Sequence, residues 1–131
     1  MQEFLGKVDQ AAVRLMSGFG GGIGGTGSVC GAIIGAVAAL SMRYGRGAAQ
    51  EREDRRLFPL SAEVYRRFGT EIETSHLCRD ITGVDFADPA QVQAFRASPE
   101  KTGRCMRLVA RTAELVCEML TREGVAKEPR G

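Results

Sequence analysis

Apolar residues recur at helical spacing through most of the chain. Phe4, Val8, Ala12 and Leu15 fall three or four positions apart, which predicts one apolar face on a helix over 2–16. Residues 29–40 are an unbroken apolar run, so a central helix over 28–44 is apolar nearly all round and must be surrounded by protein. After a charged, helix-compatible stretch at 50–58 and a break at Pro59, Leu60, Val64 and Phe68 give an amphipathic helix over 60–69. Thr74 or Ser75 caps a short helix that puts Cys78 in or near its first turn and that Gly83 ends. Asp88 followed by Pro89, and Ser98 followed by Pro99, read as two further helix starts. The second opens a long helix to residue 122 whose core stripe is Met106, Val109, Ala113, Val116 and Leu120, and the polar tail after Glu123 is expected to fray. The expected architecture is all-α: a compact bundle of about five to six helices around a buried Gly/Ala-rich central helix.

Glycine changes this picture at one place. Seven of the ten residues from Gly18 to Gly27 are glycine, and the run empties into the central helix just before Cys30. Such a backbone reaches conformations closed to other residues. Thr26, Gly27 and Ser28 offer helix caps, which places Cys30 about two residues inside the helix, where free amides and the helix dipole favour thiolate over thiol. Glycines 20, 22 and 25 stand at GxGxxG spacing, but a helix, not a strand, precedes them, and no GxxxxGK[ST] occurs, so nucleotide binding is disfavoured. Further on, Gly31, Gly35 and Ala39 make a smooth ridge along the central helix, suited to close helix packing within the subunit or across a homodimer. Gly45 is placed to end that helix as its C′ residue.

At 131 residues the chain reads as a single helical domain. Eighteen basic and 16 acidic residues leave a net charge of +2, and the arginines at 43–56 are interleaved with acids, so no nucleic-acid footprint is expected. The apolar run is too short for a membrane span and the N-terminus has no secretory apolar core, which together predict a cytoplasmic protein. In a reducing compartment four cysteines argue for redox, catalytic or metal roles before structural disulfides. There is no CxxC and no CxxCH, so any shared site must be assembled from distant segments. His76 and Cys78, two apart, point in different directions on a helix, and the histidine reads as a surface or supporting residue. Cys117, on the flank of the last helix's stripe, reads as core.

The segment GFGGGIG, the box CGAIIG at 30–35 and MRYG at 42–45 together resemble the C-GCAxxG-C-C family, named as candidate redox-active proteins of about this length. The resemblance runs from about residue 15 to residue 120 and matches later family cysteines to Cys78 and Cys105. It implies redox-active thiols at Cys30, Cys78 and Cys105; the helix N-terminus makes Cys30 the expected low-pKa nucleophile, with Cys78 or Cys105 as resolving partner and an unidentified redox partner. The alternatives are zinc or iron–sulfur binding by the same three thiolates, and a helical dimerisation module using Gly31, Gly35 and Ala39. The family also carries a cysteine in an extra N-terminal helix, whereas this chain has none before Cys30. It is N-terminally short against the family pattern, through truncation or through loss of one thiol.

Overall fold

A computed structural model describes residues 1–125; the expected fraying of the residues beyond lies outside them. Six α-helices build the fold, with no strand among the described residues: α1 (Gln10–Met16), α2 (Gly31–Tyr44), α3 (Leu57–Arg67), α4 (Cys78–Thr82), α5 (Pro89–Arg96) and α6 (Pro99–Arg122). α2 is the hub. Its Ala36, Ala39, Leu40 and Tyr44 pack against Leu60 and Val64 of α3 and Leu115, Val116, Met119 and Leu120 of α6, and small side chains on α2 let those helices come close. Across the outer seam of α3 and α6, Glu63 accepts two hydrogen bonds from Arg122 (2.8 Å each), and Arg67 reaches Glu71 (2.6 Å) and Glu118 (3.2 Å). Exposed pairs of this kind add at most about 1 kcal/mol each.

The helix starts at Asp88 and Ser98 stand where expected, whereas α4 begins at Cys78 with Leu77 as N-cap and no side-chain cap from Thr74 or Ser75. The Asp88 carboxylate accepts from the Ala90 and Gln91 amides with Pro89 in the first turn, and the Ser98 hydroxyl accepts from the Lys101 amide above Pro99. Gly83 closes α4 at φ +66°.

Other boundaries moved, each for a local reason. No helix covers 2–16: Gly6 turns left-handed and Asp9 caps α1 at Gln10, so Leu5 is the buried anchor while Val8 and Leu15 stand outside. Residues 50–56 are irregular, because the Asp54 carboxylate accepts from the backbone and side chain of Arg56 and turns the chain into α3. Pro59 lies within the first turn of α3, where a missing amide costs nothing, and so does not break the chain. Beyond Arg67 the helix widens into a π turn, Phe68–Ile72, closed by the Glu73 amide donating to the Phe68 carbonyl (2.9 Å). Gly45 ends α2 in an extended conformation (φ −73°), not a left-handed one, since a side chain there would run into the Ser41 carbonyl.

The α6 stripe is also rotated. Leu108, Thr112, Leu115, Val116, Met119 and Leu120 are buried, whereas Met106 and Val109 face outward, 72% and 54% exposed. Thr112 is tolerated inside because its hydroxyl donates back to the Leu108 carbonyl (2.8 Å). At the far end Gly124 turns left-handed and Val125 folds back onto the core, its amide donating to Leu120.

The Gly31, Gly35, Ala39 ridge divides. Gly31 lies against the Phe19 carbonyl, Ala39 is buried, and only Gly35 is open, facing an apolar groove of about 870 Å³ shared with α1. No helix among the described residues is long and apolar enough to cross a membrane.

Candidate thiol site

Five consecutive residues, Gly21 to Gly25, have positive φ, so the glycine run winds left-handed. Glycine adopts this without cost, but Ile23 (φ +62°) does not, since a left-handed β-branched residue is strained by about 1–2 kcal/mol. Backbone bonds spanning six residues tie the loop: the Gly24, Gly27 and Ser28 amides donate to the carbonyls of Gly18, Gly21 and Gly22. The loop then lays residues 27–30 antiparallel to residues 76–79.

That pairing brings two cysteines together. Val29 and Leu77 form a single antiparallel bridge, flanked by the Cys30 amide donating to the His76 carbonyl (2.8 Å) and the Cys78 amide donating to the Ser28 carbonyl (2.7 Å). Cys30 and Cys78 are therefore diagonal neighbours on one face of the bridge, a relation that in regular ladders separates Cα atoms by about 7–8 Å. Gly22 is the seat for Cys78: a Cβ added to it would meet the Cys78 Cβ at 2.8 Å and the Ser28 backbone at 2.6 Å. Because the 27–30 segment is drawn into this bridge, α2 begins at Gly31 and Cys30 is its N-cap, not a residue inside the helix.

Cys30 also belongs to a second apolar cluster with Ile33, Phe68, Ile81 and Leu108, against which Ile72 packs. The π turn is what lowers Phe68 and Ile72 into it. The same turn leads to Glu73, which pairs with Arg104 of α6, one residue before Cys105. Cys105 is half-buried, while Cys30 and Cys78 are buried.

The three thiols sense each other. Burial is the main cause raising each pKa; Cys78 is raised further by the charges of Cys30 and Cys105, and Cys105 by that of Cys30. Cys30 thus departs from the expected low-pKa thiol. The amides of Ala32 and Ile33 do favour its thiolate, but they close no cap hydrogen bond, and desolvation outweighs them. Glu73 raises both Cys30 and Cys105, and at Cys105 the lowering by Arg104 is the larger of the two.

The His76 ring lies against α3 and the π turn, 5.9 Å from the ring of Phe68, which packs with Cys30. The histidine stacks on Tyr65 (centroids 3.8 Å apart, planes 7° off parallel) and its Nε2–H donates to the Tyr65 carbonyl (2.7 Å). It steadies the segment that leads into Cys78, the supporting part read from sequence. Cys117 lies elsewhere, half-buried on α6 with its Sγ 3.5 Å from Met1 Sδ. Among the described residues no three His, Cys, Asp or Glu side chains are grouped so that they could hold a metal ion. Sequence reasoning passed over Glu73 and Arg104, which belong to no motif; only helical spacing relates Arg104 to Cys105 and Leu108.

An all-helical bundle with three neighbouring thiols beside a left-handed glycine loop defines a small helical cysteine protein. The chain belongs to the C_GCAxxG_C_C family, described as "Putative redox-active protein", whose match covers residues 1–119. A relative from Archaeoglobus fulgidus, bearing the name "Uncharacterized protein", is 31% identical over 111 residues, covering 79% of this chain and 66% of its own length. The chain thus spans about two thirds of that relative. No solved structure matches it.

Proposed function

We propose that the chain works as a thiol–disulfide couple built from Cys30, Cys78 and Cys105, in a reducing compartment such as the cytoplasm. The observation that carries this reading is the bridge at Val29 and Leu77, which sets Cys30 and Cys78 side by side within electrostatic reach of Cys105. Oxidation joins two of the three sulfurs and releases two protons and two electrons; reduction reverses it. Burial keeps all three protonated at neutral pH, so the couple is slow until a substrate or higher pH supplies thiolate.

The test is equilibration of the reduced protein in dithiol/disulfide buffers, followed by peptide mapping. A disulfide within the trio, with Cys117 left as thiol, supports the reading; oxidation confined to Cys117 defeats it. Folding stability supplies a second check. A thiol whose folded pKa is raised holds its proton longer when folded, so its contribution is intact below the ordinary thiol pKa of about 8.5 and declines as pH climbs toward the folded value. Stability of the reduced protein should therefore fall above about pH 8.5, and less steeply in Cys30→Ala.

A further inference from the structure

Beside the thiol cluster lies a small cavity of about 190 Å³ lined by Glu71, Ile72, Glu73, Arg104, Arg107, Leu108 and Arg111. Its floor is the cluster itself, since Leu108 is buried with Cys30 and Ile72 packs against that group. Its wall is one face of α6, because Arg104, Arg107 and Arg111 recur at i, i+3 and i+7. Glu73 is held by Arg104, Glu71 by Arg67 (2.6 Å), and Arg111 leans to Glu114 (2.7 Å). Arg107 has no acidic partner among the described residues. The cavity therefore carries three guanidinium groups against two carboxylates, with one cation uncommitted, and Cys105, the least buried of the three thiols, follows Arg104 on α6 beside the lining rather than in it.

We propose that this cavity docks the anionic part of a low-molecular-weight disulfide, one bearing carboxylate or phosphate groups, and presents its S–S bond to Cys105. The inference rests on the thiol couple proposed above and names its substrate class. Guanidinium forks suit either anion, and Arg104 beside Cys105 favours its thiolate. The Cys105 thiolate attacks one sulfur of the substrate, forming a mixed disulfide and expelling the first small thiolate. The Cys30 thiolate then attacks the Cys105 sulfur and expels the second, leaving a Cys30–Cys105 bond. Two electrons pass from the protein to the substrate, and the two protons lost by the cysteines end on the two small thiols. Cys105 is thus the thiol that meets substrate, and Cys30 the buried resolving partner, a reversal of the order expected from the helix N-terminus.

The experiment measures oxidation rates of the full reduced chain by glutathione disulfide (carboxylates), coenzyme A disulfide (phosphates), neutral hydroxyethyl disulfide and cationic cystamine, at low and high salt. The expected result is a preference of about threefold to tenfold for at least one anionic disulfide over the neutral one, with cystamine slowest, shrinking at high salt. The carboxylate and phosphate arms identify which anion is meant. Arg107→Gln should cut the anionic-to-neutral rate ratio by about threefold, whereas Arg14→Gln on α1 should leave that ratio alone. Equal rates for all four disulfides, or a ratio unmoved in both Arg107→Gln and Arg111→Gln, overturns the docking proposal while the couple stands. If no disulfide, neutral included, oxidises the trio, the couple itself fails and the docking proposal with it.

Discussion

The two ends of α2 are built from the same helix and do opposite work. Its C-terminal half is a hydrocarbon joint: Leu40 is fully buried among Val64, Val116, Met119 and Leu120. Its N-terminal end packs Cys30 with Phe68, Ile81 and Leu108, but two further thiols, a carboxylate and a guanidinium reach toward the same spot. The first end is held by side chains that interlock; the second is held by backbone, a glycine loop and one bridge. The proposed thiol site is thus positioned mainly by backbone, while the close hydrocarbon packing lies at the other end of the helix.

Breaking the stabilising end tests this most forcefully. Leu40→Ala should cost about 3–5 kcal/mol, the loss of a fully buried leucine plus the cavity it leaves, read as a lower urea midpoint. While the variant remains folded, the mapping and alkylation pattern of Cys30, Cys78 and Cys105 should match the parent. A changed thiol pattern would mean that the two ends are mechanically one.

Gly22→Ala attacks the other end. The added methyl meets Ser28 backbone at 2.6 Å and Cys78 Cβ at 2.8 Å, at a φ of +73°, which together amount to about 2–4 kcal/mol. Unlike Leu40→Ala, it should expose Cys78 to alkylation well below the unfolding midpoint. Unaltered Cys78 protection would show that the loop does not position it.

These contrasts track what was readable in the amino-acid order. Helix starts at Asp88 and Ser98, the stop at Gly83 and the central position of α2 were legible, because each depends on residues within a turn of one another. The stripe of α6 was not, since which face of a 24-residue helix turns inward depends on where α2 and α3 lie, and a buried Thr112 hides in the pattern. That Cys30, Cys78 and Cys105 belong together came from family likeness alone; the bridge that unites the first two joins residues no local pattern relates. The acidity of Cys30 was misjudged because amides at a helix start are visible in sequence and burial by Phe68 and Leu108 is not. The same holds for the π turn, which carries the chain past Gly69, where the helix was expected to end, and sets Glu73 against α6.

A smaller effect, opposite in sign, comes from Ile23. Among the non-glycine residues described it alone has positive φ, its side chain is 43% exposed, and it therefore gives up conformational energy without a core to repay it. Ile23→Gly should raise stability by about 1 kcal/mol, tempered by the greater freedom glycine has when unfolded. Loss of stability would mean that the exposed isoleucine is packed in a way the isolated chain does not display.

The smallest expected change lies at the hydrocarbon end. The Tyr44 hydroxyl is buried without a hydrogen-bond partner among the described residues, while the guanidinium groups of Arg56 and Arg43 sit 4.7 and 5.1 Å from the centre of its ring. An orphaned hydroxyl costs more than it returns, whereas the ring face that attracts the two cations survives in phenylalanine. Tyr44→Phe should thus be neutral or stabilising by up to about 1 kcal/mol, with the thiol trio untouched. A clear loss instead would show that the hydroxyl has a partner in solution, and that this end of α2 is not held by hydrocarbon packing alone.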